Sequence, residues 1–369
     1  MKYDIAVIGA GIAGCAIANY AKGQGKEVLI VDRAQTPATG GSGAAGAFIS
    51  PKLGKKTALL ELTNLAYDYA TSFYATNFKE YFDNSGIIRF AKDSKDAKFF
   101  SEYQSYIGGE LLSPKEAKEL GAKAEFDVLY FKDGGVCDAQ NLCKALIKDI
   151  DFLQLELKEL DFLEEGNLIN SKIEAKNVVL ANGYEGHKLL EYMGISGIWG
   201  SRGDFESSSD IKVCMHKSVS VSANNNGIIK IGASHIRAKS PTHACQICDG
   251  EPLKALIESA KEIADIKDLK LKQTFCGMRS GCRDYFPLVG KVLDSKYLLE
   301  KYPQIKKGFN KIEFKYINNL YLLNGLGGRG FVFAPLMAKW LYELIFEDKE
   351  IDNRVNPNRL FFKWARKLK

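Results

Sequence analysis

At 369 residues, with 46% hydrophobic and 26% charged content, the chain has the composition of a soluble globular protein with room for two domains. Its 51 lysines and arginines against 45 aspartates and glutamates leave a net charge of +6, which permits an anionic partner such as RNA without demanding one. Eight cysteines, at 15, 137, 143, 214, 245, 248, 276 and 282, are too scattered for a disulfide scaffold and point to a reducing, cytoplasmic setting. No apolar run reaches the roughly 18–20 residues that span a bilayer, since the nearest, Phe331 to Phe346, contains Pro335, Lys339 and Glu343.

The chain opens with a strand, a turn, a helix and a second strand. Ile5 to Ile8 form the apolar run expected of a strand buried on both faces. Gly9, Gly11 and Gly14 follow as G-x-G-x-x-G, Ile12 to Lys22 have helix-forming composition, and Val28 to Val31 lead to Asp32. A lone glycine triad is a weak signal, but this order of elements makes it a dinucleotide site. Gly9 supplies the tight turn, Gly11 lets the backbone approach a pyrophosphate, and Gly14 allows close helix–strand packing. The helix N-terminus offers unpaired N–H groups to phosphate, and Asp32 can accept from a ribose hydroxyl. The small-residue loop from Thr39 to Ala47 then favours cofactor contact over a plain linker. Leu59 to Phe78 read as a helix, Gly86 to Phe90 as a strand and Ala97 to Ile107 as a further helix.

After the turn Asp133-Gly134-Gly135, Asp138 caps a helix through Leu142, Ala145 and Leu146. Short strands with charged turns run to about Ser171. Residues 177–183, Asn-Val-Val-Leu-Ala-Asn-Gly, read as a buried strand that rejoins the parallel sheet, with Ala181 and Gly183 small enough to admit a cofactor. Trp199 to Ala233 alternate as in an antiparallel sheet, Leu253 to Ile266 form an amphipathic helix, and Leu269 to Arg279 and Phe286 to Val289 are strand-like. Asn319 to Leu323 make a last apolar strand before Gly325-Leu-Gly-Gly-Arg-Gly330 and a helix from about Phe333 to Phe346. Strand, glycine-rich turn and helix therefore open and close the chain, and the nucleotide domain is expected to be discontinuous, with a mostly antiparallel domain inserted in pieces.

Two residue clusters have competing readings. His235, His243, Cys245 and Cys248 contain one CxxC spacing but no second paired half, and no metal site is expected. At the C-terminus, Arg354, Arg359, Lys363, Arg366, Lys367 and Lys369 alternate with Phe361, Phe362 and Trp364. They suit phosphate contact with base stacking, or equally an amphipathic helix with a solvated basic face. Lys52, Lys55 and Lys56 form a second basic cluster.

Several segments together carry a family resemblance: the stretch from Gly9 to Asp32, Val178-Val-Leu-Ala-Asn-Gly183, Ser201-Arg202-Gly203, Gly277-Met-Arg-Ser-Gly-Cys-Arg-Asp-Tyr-Phe-Pro-Leu-Val-Gly290 and Gly325–Gly330. The set resembles the FAD-dependent D-amino acid oxidase / glycine oxidase superfamily. Within it, the set is most similar to the oxidoreductase domain of the bifunctional enzyme that makes 5-methylaminomethyl-2-thiouridine in tRNA (MnmC type), here without the methyltransferase domain. The loop from Ser42 to Pro51 departs from that family in lacking a polar Asn-Arg-Gln insert.

The resemblance implies an α/β fold. A Rossmann-like FAD-binding domain (1–85, 134–185 and 318–369) would be interleaved with a mostly antiparallel substrate domain (86–133 and 186–317). It implies FAD held by Gly9, Gly11, Gly14, Asp32, Arg33, Ser42, Gly43, Gly46, Ala181, Gly183, Gly327, Gly328, Arg329 and Gly330. The implied substrate is the carboxymethylaminomethyl group of a tRNA wobble uridine, oxidised to aminomethyluridine and glyoxylate, with any methyltransferase as a separate partner. Free glycine, sarcosine or a D-amino acid is the alternative substrate, and a flavoprotein without turnover a further one. Arg279 and Arg283 are the candidates for the substrate carboxylate, because guanidinium pairs with carboxylate in bidentate fashion. Their spacing of four would put them on one face of a strand or let them converge from a loop, and the family pattern assigns the carboxylate to Arg279.

Overall fold

A computed structural model describes residues 2–163, 166–188, 190–237 and 250–368. In chain order, the elements that build the site begin with β1 (Tyr3–Ile8), α1 (Ile12–Gly23), β2 (Val28–Asp32), α2 (Ala58–Asn77), β3 (Ile87–Arg89), β4 (Asp151–Gln154) and β5 (Ile173–Leu180). They continue through β6 (Ser196–Glu206), β7 (Cys214–His216), β8 (Ser220–Val221), β9 (Ile228–Gly232), β10 (Lys270–Gly281), β11 (Leu288–Leu293) and β12 (Tyr316–Asn324). Helices α3 (Gly330–Phe346) and α4 (Asn358–Ala365) complete the set.

The first sheet is doubly wound. Strands β4, β2, β1, β5 and β12 run parallel in that order. Strand β1 is buried on both sides, as its unbroken apolar run requires. Ile5 and Val7 pack with α1, α2 and α3, while Ala6 and Ile8 enter a second core with Tyr192, Leu322 and Phe361. One boundary differs from the sequence reading. Strand β11, expected in the inserted domain, pairs antiparallel with β12 and so extends the first sheet.

The second sheet is antiparallel except where β7 runs parallel to β3, and its order begins β10, β6, β9, β8, β7, β3. Its longest pair, β6 with the edge strand β10, runs in register from Ser196 opposite Gly281 to Asp204 opposite Gln273.

Two local devices fix the helices beside the site. Thr57 caps α2, its hydroxyl accepting from the Leu60 N–H at 3.2 Å. Pro335 lies inside α3 and has no N–H for the carbonyl four residues back. The buried Tyr74 of α2 replaces that donor, its hydroxyl donating to the Phe331 carbonyl at 2.8 Å.

Helix α4 resolves the two readings of the C-terminus. Phe361 is buried and meets Tyr192 edge-on at 5.9 Å, with Trp364 against the same ring at 6.1 Å. Arg359 is bonded to Asp284 and Arg354 to Asp352. These aromatics are packing groups, and only Lys363, Arg366 and Lys367 of the described basic residues remain exposed there. Lys369 lies outside the described residues.

Among the described residues no helix is long and apolar enough to cross a membrane. Cys15, Cys137, Cys143, Cys214 and Cys282 are buried free thiols, whereas Cys276 is disulfide-bonded, so cysteine usage does not decide the redox compartment. His243, Cys245 and Cys248 lie outside the described residues.

Candidate functional site

The glycine turn after β1 is built as its sequence implies. Gly9 has φ +109°, and a Cβ there would stand 2.6 Å from the Ala181 carbonyl oxygen. A Cβ on Gly14 would overlap the Gly9 carbonyl. Helix α1 therefore starts directly behind β1, and the Ile12 N–H at its N-terminus donates to Ser42 Oγ at 2.9 Å. Gly330, the first residue of α3, is equally close, since a Cβ there would lie 3.2 Å from Ile12 Cγ2. Two helix N-termini thus meet, and the partial positive charge of each favours an anion.

Asp32 closes this end. Its carboxylate accepts from the Ala10 N–H at 2.7 Å and the Ala34 N–H at 2.8 Å, so it shapes the turn as well as offering lone pairs to a ribose. Arg33 is exposed and faces Glu185 at 3.9 Å. Gly43 fits against the Ala38 carbonyl and Gly46 against the Phe48 ring, 2.7 Å from where a Cβ would be. Gly183 has φ +57°, and its carbonyl accepts from Asn324 Nδ2 at 2.9 Å.

The small-residue loop covers one face of the second sheet. Gly41 packs on the Met278 carbonyl, and a Cβ on Gly277 would be 2.9 Å from the Gly41 Cα. On that face, Arg202 of β6 donates to the Ala45 carbonyl and pairs with Asp204 at 3.0 Å. Its guanidinium lies 3.9 Å from the Phe275 ring centre. Arg202 thereby ties the loop to this face of the sheet.

Register continues this face across the sheet. Phe275, Arg202, Gly232, Ser220, His216 and Arg89 are successive cross-strand partners, and directly opposed residues share a face. Arg279 lies four residues beyond Phe275 on β10, again on that face. Its guanidinium occupies the space above Gly200, where a Cβ would be 2.5 Å from Cζ. Its Nη1 is buried without a partner. Burial lowers its pKa to about 10, which leaves it charged at neutral pH. A Cβ on Gly328 would be 3.9 Å from Arg279 Cδ, so the glycine turn before α3 borders the same space. His235, held below the usual histidine range by burial and by Arg279, is a neutral imidazole there.

Two further guanidiniums converge on Ser50 and Pro51. Arg329 Nη1 donates to the Ser50 carbonyl at 2.8 Å. Arg89 Nη1 donates to Ser50 Oγ at 3.2 Å and to the Pro51 carbonyl. His216, in register with Arg89, shares a 2.6 Å hydrogen bond between Nδ1 and Ser220 Oγ. Burial, then Arg89 and Arg329, hold it well below its ordinary pKa. Sequence reasoning passed over Arg89 and Ser50 and reads His216 as an isolated structural histidine. The available signal was one charged residue ending an otherwise apolar strand, Ile87-Ile88-Arg89.

Arg283 is not brought to Arg279. It lies past the end of β10, exposed, with its Cδ 3.7 Å from where a Cβ on Gly194 would be. The alternation that would have put both arginines on one face stops at Gly281, where the strand ends. The neighbouring Asp284 binds Arg359 at 2.8 Å.

The family model described as FAD-dependent oxidoreductase (DAO) matches residues 4–344. Among curated proteins, the tRNA 5-methylaminomethyl-2-thiouridine biosynthesis bifunctional protein MnmC of Shewanella amazonensis is 24% identical over 99% of this chain and 60% of its own length. The protein of the same name from Legionella pneumophila is 26% identical over 96% of this chain and 55% of its own. The chain thus spans between half and two thirds of these relatives. Among solved structures, glycine oxidase from Bacillus cereus superposes with a TM-score of 0.76 at 20% identity, covering 95% of this chain and 96% of the other. L-proline dehydrogenase from P. horikoshii gives 0.74 at 18%, covering 97% of each. These two establish the fold.

Proposed function

The chain belongs to the FAD-dependent oxidoreductase family, and from that premise we propose that it oxidises an N-substituted glycine carried on tRNA. The substrate would be 5-carboxymethylaminomethyl(-2-thio)uridine at the wobble position, and the products 5-aminomethyl(-2-thio)uridine and glyoxylate. FAD fits the residues present. The abutting N-termini of α1 and α3, Ser42 and the Gly9 turn would hold its pyrophosphate, Asp32 its ribose, and Gly327 to Gly330 its ring. Bound there, it supplies the two-electron acceptor for the reaction.

The observation that carries the proposal is Arg279. A half-buried guanidinium whose Nη1 is buried and unpartnered, with no ion pair among the described residues, calls for an anion. A glycine carboxylate supplies one with matching bidentate geometry. Fixing that carboxylate fixes the adjacent methylene. Loss of a hydride from this carbon and of the amine proton leaves a C=N bond. Water then adds to the carbon, the C–N bond breaks, and a primary amine and glyoxylate separate. Solvent-facing Lys55 and Lys56, with Lys363, Arg366 and Lys367 of the C-terminal segment, offer phosphate contacts to the tRNA. The names of the curated relatives support the tRNA substrate. A separate methyltransferase would then take the product onward, and the setting would be the cytoplasm.

The test is an anaerobic titration of the FAD-loaded protein with tRNA bearing carboxymethylaminomethyluridine. Bleaching of the flavin band with release of glyoxylate is expected. Bleaching by free glycine, sarcosine or a D-amino acid, with the tRNA inert, would replace the tRNA by a free amino acid. A flavin reduced by none of them would remove the proposal.

A further inference from the structure

The cations gathered on Ser50 and Pro51, together with Arg279, carry more positive charge than one substrate carboxylate and one flavin account for. Arg279, Arg329 and Arg89 form no ion pair with any described residue, and Lys52, half-buried, stands beside the last two. The acid whose charge acts on Arg89 is Asp96. Its carboxylate is already taken by the Lys92 N–H at 3.0 Å and the Tyr103 hydroxyl at 3.0 Å. His216, opposite Arg89, is neutral. Arg279 faces the reacting carboxylate and Arg329 the flavin, which leaves Arg89 unexplained.

Its hydrogen bonding shows what it lacks. Nη1 alone ties the side chain to Ser50 and Pro51. Nε is buried without a partner, and Nη2 makes no hydrogen bond among the described residues. Nε and Nη2 form one edge of the guanidinium, and that edge binds carboxylate or phosphate through two parallel N–H···O bonds. A purely structural arginine at this position would be paired. Burial and the neighbouring Arg329 hold Arg89 down to about 9, and burial with both arginines lowers Lys52. Burial is the larger cause of each shift, and the neighbouring cations add to it.

We propose that Arg89, through its Nε–Nη2 edge and with Lys52 beside it, binds a second anionic group of the substrate, separate from the carboxylate on Arg279. The substrate is therefore a dianion at least: a nucleotide whose phosphate reaches Arg89, or a free dicarboxylate. This rests on the carboxylate assignment to Arg279 and is independent of the tRNA.

The test uses the FAD-loaded protein and follows perturbation of the flavin absorption band by non-reacting acids. Glycolate carries one carboxylate, phosphoglycolate a carboxylate and a phosphate, and malonate and glutarate two carboxylates. At least one dianion is expected to bind ten-fold or more tighter than glycolate, and Arg89→Gln should bring that ratio close to one. Preference for phosphoglycolate identifies a nucleotide phosphate as the source, and preference for a diacid identifies a free dicarboxylate. Equal binding of all four acids, or a dianion preference that survives Arg89→Gln, overturns the proposal. If glycolate itself leaves the flavin unperturbed, the carboxylate assignment to Arg279 has failed instead. Should Arg89→Gln not fold, Arg89→Lys and Lys52→Met give the same readout, each expected to reduce the preference by several-fold.

Discussion

Gly200 and Arg279 share one space, because the guanidinium of Arg279 lies where a side chain at position 200 would be, with Cζ 2.5 Å from a Cβ built there. Gly200 carries no left-handed φ, so its requirement for glycine is purely steric. Gly200→Ala should displace the guanidinium without disturbing the backbone. Carboxylate binding, read from the flavin spectrum, should weaken by roughly 10–100-fold, about 1.4–2.8 kcal/mol, while bound FAD is unchanged. Unaltered carboxylate affinity would remove Arg279 from the substrate site.

Asp32 should prove to act twice. Because its carboxylate accepts two backbone N–H groups of its own turn, Asp32→Ala should lower the thermal stability of the flavin-free protein as well as its FAD content. Two donors that lose their acceptor cost about 1–3 kcal/mol each when buried, and less at this half-buried position. A loss of FAD with no change in the stability of the flavin-free protein would restrict Asp32 to the ribose.

His216 gives a pH-dependent signature with a definite sign. Its folded pKa is depressed by burial, then by Arg89, Arg329 and His235, whereas the unfolded chain protonates near the ordinary value of about 6.5. Below that value the unfolded state binds more protons than the folded one. The folded state therefore loses up to about 1.4 kcal/mol per pH unit as the pH falls from 6.5 towards the folded pKa. His216→Asn keeps a partner for Ser220 and removes this loss. The stability difference between wild type and variant should then shift towards the variant between pH 6.5 and 5. A difference that is flat with pH would show that His216 is not a suppressed titrating group.

The nucleotide half of the fold was legible because its signals are local. Gly9, Gly14 and Asp32 act within one strand–turn–helix–strand unit, where Gly9 and Gly14 make the close backbone approaches expected of glycine and Asp32 accepts from two N–H groups of its own turn. Arg279 is singled out by its motif, and the structure places it on the face that the small-residue loop covers. Arg89 and His216 were not legible, because they meet only through the pairing of β3 with β7, two strands far apart in sequence. Hydrophobic periodicity carries no information about such a pairing. The C-terminal aromatics show the converse difficulty. An amphipathic helix has one pattern whether its aromatics face a core or a nucleic acid, and only the packing of Tyr192 against Phe361 and Trp364 decides between them.

Tyr74 and Pro335 provide a test of the scaffold beneath the proposed flavin site. Pro335 deprives the Phe331 carbonyl of its helical donor, and the Tyr74 hydroxyl fills the vacancy from α2. Tyr74→Phe should leave that carbonyl unpaired in a buried position and destabilise the protein by about 1–3 kcal/mol. Pro335→Ala restores a backbone N–H in register with the same carbonyl. In the Tyr74→Phe background it should therefore recover stability, and in the wild type it should yield less, because the acceptor is already used. The two substitutions should be non-additive by about 1 kcal/mol in a double-mutant cycle followed by denaturant unfolding. Strict additivity would mean that the hydroxyl and the missing N–H do not serve the same acceptor. Since Phe331 follows Gly330 at the start of α3, loss of the Tyr74 bond should also loosen the helix N-terminus that abuts α1. A fall in FAD affinity alongside stability, reversed by Pro335→Ala, would trace that connection from a single buried hydroxyl to the cofactor.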